Sequence, residues 1–452
     1  MPKTCLAAVT AVILVLSGAA VPRAQAPAGT KLALVGGMLL DGIAAPPIHN
    51  AVVLIDGERI VRVGPASEVA VPEGYRVIST RGRTMMPGMI ELHAHLVLVG
   101  HGNYGTWFPW IDKRGRDRTL PEVMAVAANQ LLMAGVTSAV DLGAPLAESL
   151  AIRGRIDRGE IPGPRMSMSG PWLTRRPAIF PDDYQIAVTS PEQAGRETER
   201  LIAAGVDVIK AHSGLTREDY EAIAAAAHRH GVRVHAHVYA ETDTRNALEA
   251  GIDVLSHVGS AGTAPPYSEG LITDIVNAGR PIVVTAAHRS WVYPDTAAFP
   301  ERLQDPALEH SMPADMYAEV QDSLKNWRAL PYFARTEREM FFRERGITQF
   351  IESGAVMGMG TDSGTPMNFH TEALWREAKV HVDMGMAPER VISALTRVGA
   401  TILGKQQDLG TIEPGKLADI IMVQGNPLFD ITALSHVETV IKGGRVYKEP
   451  RQ

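Results

Sequence analysis

The chain reads Val206-Asp-Val-Ile-Lys210 near its middle, continues with a helical pattern over residues 217–230, and resumes as Val232-Arg-Val-His-Ala-His237. The two short runs are rich in β-branched residues, which favour strands, and the segment between them is long enough for a crossover helix. Gly231 closes that helix directly before the second run, as a glycine commonly does at a helix C-terminus. The stretch therefore predicts a βα unit with two parallel strands.

The same unit recurs along the chain. Eight short apolar runs alternate with helical patterns, and they span residues 89–95, 137–141, 165–169, 206–210, 232–237, 253–257, 281–285 and 355–360. Ser190-Pro191-Glu192 supplies a cap residue and a first-turn proline where one helix begins. Eight parallel βα units predict an α/β protein with a closed (β/α)8 barrel of the TIM type, and we assign residues 88–404 to it.

Both ends of the chain have a different pattern. Short strand-like runs flank the turn signals Asp56-Gly57 and Gly443-Gly444. We therefore expect a small β-sandwich domain built from both chain ends, with residues 27–87 as its N-terminal part and residues 405–452 as its C-terminal part.

The first residues resemble an export signal. Lys3 gives a positive start, residues 6–21 are almost wholly apolar, and Ala24-Gln25-Ala26 matches a cleavage pattern. The apolar run is short for a membrane span, which takes about 20 residues. We predict that residues 1–26 are a signal peptide and that the mature protein is periplasmic or secreted, with no stable membrane span. The single cysteine, Cys5, lies in that peptide, so we expect no disulfide.

Composition limits the partners that the protein can have. The 452 residues are 45% hydrophobic and 21% charged, which excludes a disordered or fibrous chain. The net charge is −6, from 44 basic and 50 acidic residues without a long run of one sign. Nucleic-acid binding would require a basic stripe, so we expect no nucleic-acid partner and a small-molecule substrate instead.

Potential metal ligands stand at the ends of five predicted strands. His93 and His95 are two residues apart in the first strand, and since alternate residues share one face, both imidazoles can reach one ion. The later strands end, in order, in Lys210, His237, His257 and Asp362. In a barrel these strand ends meet in one ring, where barrel enzymes have their active sites. The pattern therefore predicts a metal site at this rim.

Longer motifs around these residues resemble the amidohydrolase superfamily over roughly residues 31 to 447. The similar stretches are Thr84-Met-Met-Pro-Gly-Met-Ile-Glu-Leu-His-Ala-His-Leu, Gly135-Val-Thr-Ser-Ala-Val-Asp-Leu-Gly, Gly360-Thr-Asp-Ser-Gly and Gly410-Thr-Ile-Glu-Pro-Gly-Lys-Leu-Ala-Asp-Ile. Within the superfamily, the chain is most similar to imidazolonepropionase-like and Xaa-Pro-dipeptidase-like enzymes.

The resemblance implies a binuclear metal-dependent hydrolase that cleaves amide C–N bonds of dipeptides, N-acyl amino acids or related aryl amides. His93, His95 and Asp362 would hold one divalent ion, and His237 and His257 would hold a second. Lys210 would carry a carbamate derived from carbon dioxide that bridges the two ions. Asp362 would be the general acid and base for a metal-bridging hydroxide. Zinc suits these ligands, with manganese and cobalt as alternatives.

Several residue assignments stay open at this point. His235 shares a strand face with His237 and competes with it as a ligand. Lys210 could be an ordinary cation at a one-metal site, and Asp362 could cap a helix. Other polar residues near strand ends are candidates for binding substrate: Tyr239, His288 and His370.

Two other functions are compatible with the same motifs. One is a cyclic amidase or deaminase with a single metal, although mononuclear branches generally lack the lysine. The other is a non-catalytic protein that binds a metal or ligand on the same scaffold, which would be expected to have lost Asp362 or the histidine pair. A homo-oligomer is usual for enzymes of this kind, so we expect one here.

Overall fold

The structure is a computed structural model that describes residues 30–43, 46–259, 267–334 and 336–450, with the backbone alone at 289–290, 337–338 and 341. The predicted signal peptide, residues 1–26, lies outside the described residues.

The described ranges contain nineteen strands: β1 (Lys31–Val35), β2 (Met38–Leu39), β3 (Ala51–Asp56), β4 (Arg59–Pro65), β5 (Arg76–Ser79), β6 (Arg83–Pro87), β7 (Met89–Ala94), β8 (Val136–Asp141), β9 (Arg165–Met168), β10 (Trp172–Thr174), β11 (Gln185–Ala187), β12 (Val208–Ala211), β13 (Arg233–His237), β14 (Val254–Ser256), β15 (Ile282–Val283), β16 (Met357–Gly358), β17 (Ile420–Gln424), β18 (Val437–Lys442) and β19 (Arg445–Lys448).

The same ranges contain fifteen α-helices: α1 (Tyr104–Lys113), α2 (Arg116–Met133), α3 (Leu146–Asp157), α4 (Pro191–Ala204), α5 (Arg217–His228), α6 (Glu241–Glu249), α7 (Glu269–Asn277), α8 (Ala287–Ser290), α9 (Val292–Ala298), α10 (Pro306–Glu309), α11 (Ala314–Leu324), α12 (Thr336–Ser353), α13 (Ala373–Asp383), α14 (Pro388–Ser393) and α15 (Gly399–Ile402). Shorter 3-10 or π segments cover Asp182–Tyr184, Pro300–Gln304, Trp327–Ala329, Pro331–Phe333, Ala394–Val398 and Ile431–Ser435. None of the helices in the described part of the chain combines the length and apolar character that a membrane crossing requires.

Local sequence explains where the helices begin and end. The side chain of Ser190 accepts a hydrogen bond from the backbone of Gln193 at the start of α4, and Gly205 ends that helix with a left-handed φ of 99°. Thr216 and Asp219 form a reciprocal capping box at the start of α5. These contacts satisfy backbone groups that a helix end leaves unpaired, so α4 and α5 form where the sequence predicts them.

Strands from the two ends of the chain join in one sheet. Two sheets lie outside the parallel region, with strand orders β4-β3-β1-β5 and β19-β18-β17-β6-β2. In the second, β6 pairs antiparallel with β17, so that Thr84 lies opposite Val423. Leu32, Met85 and Ile420, from both sheets, share one buried apolar cluster. The boundaries 27–87, 88–404 and 405–452 stay predictions.

The parallel strands form a TIM-barrel-like α/β region, but no closed barrel is present among the described strands. β7, β8 and β9 make a three-stranded sheet, and a separate seven-stranded sheet has the order β11-β10-β12-β13-β14-β15-β16. The expectation of one continuous eight-stranded sheet is therefore corrected.

The division between the two sheets has a local cause. After β9 the chain continues into β10, which pairs with β12 through Leu173 and Ala211 and so takes the edge that β9 would need. β9 instead contacts the start of β12 through Asp207, whose N–H donates to the Met168 carbonyl at 2.9 Å and whose carboxylate accepts from the Met168 N–H at 3.0 Å. At the other edge of the seven-stranded sheet, β16 is only two residues long. The next residue, Met359, contacts β7, because its carbonyl accepts a hydrogen bond from the Leu92 N–H at 3.0 Å.

The two long connections, from β7 to β8 and from β15 to β16, are largely helical. The segment between β7 and β8 contains α1 and α2, and the segment between β15 and β16 contains α8 to α12. Trp107, Trp291 and Trp327 from these segments are buried in the main apolar cluster. Burial of such side chains stabilises helices that would be marginal alone.

Candidate metal centre

The histidine pair at the end of β7 meets the carboxylate of Asp362. Nε2 of His95 lies 2.9 Å from Oδ1 of Asp362, and Nε2 of His93 lies 3.6 Å from the same oxygen. The backbone holds this register, because the Asp362 N–H donates to the His93 carbonyl at 2.8 Å. Asp362 has a left-handed φ of 58°, a conformation that is uncommon outside glycine and that often marks functional sites.

The ends of β12, β13 and β14 bring three more side chains to the same place. The ring centroids of His237 and His257 are 4.4 Å apart, and those of His93 and His257 are 4.7 Å apart. Nδ1 of His257 lies 2.8 Å from the Thr285 hydroxyl, and a hydrogen bond of this kind orients an imidazole that binds a metal through its other nitrogen. Lys210, in β12, is 1% exposed.

All six residues that the sequence singles out line one cavity of about 140 Å³. Its described lining consists of His93, His95, Leu98, Tyr104, Trp172, Phe180, Lys210, His212, His237, Tyr239, His257, His288, Tyr332, Asp362 and Thr365. The structure therefore brings together side chains that are as far apart in sequence as His93 and Asp362.

The donor atoms in this cavity fit a divalent cation. One ligand atom each from His93, His257 and Asp362 lies within 4.8 Å of the other two. Within the described chain, Nζ of Lys210 and Nδ1 of His93 are buried without a hydrogen-bond partner. Buried polar atoms are normally satisfied, so these atoms mark a site that is completed by another group. Imidazole and carboxylate donors are common zinc ligands.

Electrostatics keep the imidazoles in the form that binds metal. Burial, with the positive charge of Lys210 as a further cause, lowers the pKa of His93, His237 and His257 well below its usual value. A neutral imidazole has a free lone pair for a metal, whereas a protonated one does not. These three rings therefore need no deprotonation at neutral pH.

The pKa values of Lys210 and Asp362 are both lowered, but for different reasons. Burial lowers the pKa of Lys210 to about 7, although the nearby charge of Asp362 raises it. Burial alone would raise the pKa of Asp362, but the charge of His288 and hydrogen bonds from His288 and His95 hold it well below its usual value. The site thus holds an ionised carboxylate beside an amine that is readily deprotonated.

Two buried acids form hydrogen bonds that hold β7 and the residues directly after it in place. Both carboxylate oxygens of Glu91 are used: Oε1 accepts from the N–H groups of His93 and Thr361 at 2.9 Å, and Oε2 accepts from the Thr361 hydroxyl at 2.8 Å. Oδ1 of Asp141, at the end of β8, accepts from the Leu96 N–H at 2.7 Å. Glu91 therefore ties the histidine pair to the segment that carries Asp362.

Two of the predicted substrate contacts reach the cavity. Tyr239 packs against the metal-site imidazoles, with its ring centroid 4.6 Å from that of His237. The Nδ1 atom of His288 contacts Oδ2 of Asp362, and its Nε2 atom contacts the Tyr332 hydroxyl. His288 thus lies between a tyrosine and the carboxylate.

The described cavity lining includes neither His370 nor His235, and His370 as a substrate contact stays a prediction. Both ring nitrogens of His370 are used by the chain itself, with Nδ1 2.8 Å from the Ser363 hydroxyl and Nε2 3.0 Å from the Leu98 carbonyl.

His235 is fully buried in β13, two residues before His237, and lies opposite Lys210 in the strand register. Of the competing pair, only His237 lines the cavity. Asp362 does not cap α13, since Glu372 precedes that helix.

Sequence reasoning missed several residues of the cavity. Tyr332 lies in a short turn far from any predicted strand, and Phe180 precedes the unpredicted strand β11, so no local pattern marks them. Trp172 stacks on His212, with ring centroids 4.9 Å apart. His212 follows Lys210 by two residues, so strand alternation places it on the same face.

Comparison with known proteins agrees with this geometry. A family model described as "Amidohydrolase family" matches residues 84–447. A 5-methylthioadenosine/S-adenosylhomocysteine deaminase of Symbiobacterium thermophilum is 24% identical and covers 93% of this chain and 94% of its own. An imidazolonepropionase of Porphyromonas gingivalis is 23% identical over 90% of each chain. The crystal structure of a Xaa-Pro dipeptidase with bound methionine has the same fold, with a TM-score of 0.72, 22% identity and coverage of 92% of this chain and 100% of its own.

Proposed function

The chain belongs to the amidohydrolase family and is a metal-dependent hydrolase that acts on carbon–nitrogen bonds, and we propose that it is an exported amidase with a binuclear centre. Its substrates under this proposal are dipeptides, N-acyl amino acids or related aryl amides.

One observation carries the proposal: the buried Nζ of Lys210 has no hydrogen-bond partner in the described chain, and it lines a cavity that also contains four predicted imidazole ligands and Asp362. A protonated, unmodified lysine offers only donors and would repel cations. A neutral amine can add to carbon dioxide, forming an N–C bond and releasing one proton, and the resulting carbamate offers two anionic oxygens. The pKa of about 7 makes the neutral amine available at mild pH.

In this proposal His93, His95 and Asp362 hold one ion, His237 and His257 hold the second, and the Lys210 carbamate joins them. When bound, such a pair of ions supplies Lewis acidity that activates water and polarises a substrate carbonyl. The choice of two ions rests on the number of donors in the cavity lining, which exceeds what one ion needs.

Asp362 would move the proton. Its low pKa leaves the carboxylate ionised, so it can accept a proton from the attacking water and deliver it to the departing nitrogen. An amide nitrogen is a poor leaving group until it is protonated. The contact with His288 holds the second oxygen of Asp362 in place during this transfer.

The walls of the cavity favour an aromatic group in the substrate. Phe180 lies 5.0 Å from both Tyr104 and Trp172 between ring centroids, and all three line the cavity with Tyr332. Tyr239 would donate a hydrogen bond to the substrate carbonyl or carboxylate.

A single-metal cyclic amidase or deaminase is the second candidate. It is favoured by the deaminase and the imidazolonepropionase among the relatives. The non-catalytic alternative is set aside, because the chain is a hydrolase.

Metal content and turnover, measured together, separate the candidates. The metal-free protein is loaded with zinc, manganese or cobalt in the presence of bicarbonate, its ions are counted by mass spectrometry, and it is assayed on dipeptides, N-acyl amino acids, aryl amides, imidazolones and adenosine derivatives. Two ions and amide hydrolysis, abolished in Asp362→Asn, support the proposal. One ion with imidazolone hydrolysis or deamination supports the second candidate, and loaded protein without turnover contradicts both.

Export and assembly are separate parts of the proposal. Fractionation of cells that express the full chain should find the mature protein outside the cytoplasm, with its N-terminus near residue 27. Light scattering should give a mass of at least two chains. A precursor that stays intact in the cytoplasm would contradict the export proposal without affecting the proposed chemistry.

A further inference from the structure

The turn after β15 brings two side chains to the metal centre. Thr285 has a left-handed φ of 55°, and its hydroxyl lies 2.8 Å from Nδ1 of His257. Three residues later, the His288 ring contacts the Asp362 carboxylate. This short stretch of backbone therefore positions Thr285 beside His257 and His288 beside Asp362. The proposed function assigns both His257 and Asp362 to the metals.

A buried carboxylate from α13 holds this turn from behind. Glu377 is 0% exposed, and its Oε1 and Oε2 accept hydrogen bonds from the N–H groups of Ala286 at 2.8 Å and Ala287 at 2.6 Å. These two alanines lie between Thr285 and His288. Both oxygens of Glu377 are therefore used on the backbone of the turn, and burial raises the pKa of its carboxyl group to about 8 although these two hydrogen bonds lower it.

A second side chain holds the end of the same turn. Nη1 of Arg343, from α12, donates to the carbonyl of His288 at 2.5 Å, and Arg343 is also buried. Glu377 thus anchors the N–H side of the turn while Arg343 anchors its last carbonyl. Neither side chain is among the described residues that line the cavity.

We propose that Glu377 is a positioning residue, which sets Thr285 and His288 against His257 and Asp362 through the backbone of the turn. The inference rests on the proposed function only in taking His257 and Asp362 as metal-site residues. Groups that orient metal ligands typically change metal affinity or activity by about 10- to 100-fold when they are replaced. A residue that only stabilises the fold would lower the melting temperature without this effect.

The test is Glu377→Gln, which keeps the size of the side chain but leaves one acceptor oxygen for two N–H groups. We expect kcat on the best amide substrate to fall by about 10- to 100-fold and the dissociation constant for zinc to rise by about tenfold. Zinc affinity is measured by competition with a chromophoric chelator in the presence of bicarbonate. KM should change by less than about twofold, since Glu377 does not line the cavity.

The matched control is Leu374→Ala, which lies three residues before Glu377 in α13 and is also buried. It should lower the melting temperature to a similar extent while kcat and zinc affinity stay within about twofold of the wild type. Glu377→Asp keeps the carboxyl group but withdraws it by one methylene, so its kcat and zinc affinity should lie between those of Glu377→Gln and the wild type.

Three results would overturn the inference. Glu377→Gln could match the wild type in both kcat and zinc affinity, or Leu374→Ala could show the same losses as Glu377→Gln. If neither Glu377→Gln nor Glu377→Asp retains native helix content, Glu377 is a residue of fold stability only. If the wild type cleaves no amide, the proposed function fails, but the ratio of zinc dissociation constants still tests Glu377.

Discussion

Two lysines are buried in different parts of the molecule and have different surroundings. Lys442, in β18, is 8% exposed, and its Nζ donates to the Gly163 carbonyl. Lys210, in β12, is 1% exposed, and its Nζ has no hydrogen-bond partner within the described residues. Burial lowers the pKa of Lys210 to about 7 and, with the charge of Arg165 as a further cause, that of Lys442 to about 8.

The difference separates a structural amine from a functional one. Burying a charge is costly unless it is paired, and Lys442 meets this requirement with a carbonyl of its own chain. Lys210 lines a cavity with imidazoles and the Asp362 carboxylate, but its Nζ forms no hydrogen bond within the described residues, so we expect a group from outside the chain to supply its partner. Exposure and pKa alone would rate the two lysines alike, whereas the presence of a partner distinguishes them.

The largest expected effect is that of Lys210→Ala. We expect a loss of activity of at least about a thousandfold, and fewer bound ions, because the bridging donor is removed. The measurements are kcat on the best amide substrate and ions per chain after loading with zinc and bicarbonate. Normal turnover in this variant would rule out the carbamate and with it the contrast between the two lysines.

The pH dependence of activation should reflect the pKa of Lys210. The neutral amine is the form that reacts with carbon dioxide, and a lowered pKa makes it abundant above about pH 7. At constant dissolved carbon dioxide, metal-free protein should regain activity about tenfold faster at pH 8 than at pH 6, because the neutral fraction changes by that factor.

A label can show which lysine reacts. Protein loaded with carbon-13 bicarbonate should give one carbamate signal by nuclear magnetic resonance, which Lys210→Ala removes and Lys442→Met retains. A signal that follows Lys442 would reverse the comparison.

A smaller effect is expected at the aromatic wall of the cavity. Phe180→Ala should raise KM for aryl amides by about tenfold with kcat nearly unchanged, since it removes apolar contact but no reacting group. Phe429→Ala, at a side chain that is 91% exposed, is the control and should leave both constants unchanged. Equal effects of both variants would contradict a substrate role for the wall.

The smallest effect on activity is expected for Lys442→Met. The Gly163 carbonyl loses its donor, which should cost about 1 to 3 kcal/mol in the free energy of unfolding. Turnover and ions per chain should stay within about twofold of the wild type. A loss of bound metal in this variant would mean that the structural role assigned to Lys442 is wrong.

Much of the candidate site follows from local patterns. Strand alternation puts His93 and His95 on one side, and the chain order of strand ends predicts that Lys210, His237, His257 and Asp362 lie near them. The helices α4 and α5 begin at Ser190 and Thr216 because their caps are encoded within a few residues. The limits of these elements differ from the predictions by a few residues at most.

Other parts of the site have no local signature. His370 is also a histidine near a strand end, but contacts with Ser363 and Leu98 use both its ring nitrogens. The fold shows the same limit. Eight strand-like runs predict a closed barrel, yet β10 pairs with β12 and interrupts the sheet. Which edge a strand finds depends on competing partners elsewhere in the chain.

Periodicity and order along the chain thus predict the TIM-barrel-like type of fold and the family, because the pattern of each strand and helix is encoded within that element, whereas the ligand set stays a prediction. Only the tertiary structure shows that Lys442 meets a carbonyl while Lys210 has no hydrogen-bond partner within the described residues. It likewise shows the aromatic wall with Phe180 and Tyr332, and the hydrogen bonds of Glu377 to the turn before His288. They arise where segments far apart in sequence meet, and the free energy of such contacts depends on distances that no local pattern encodes.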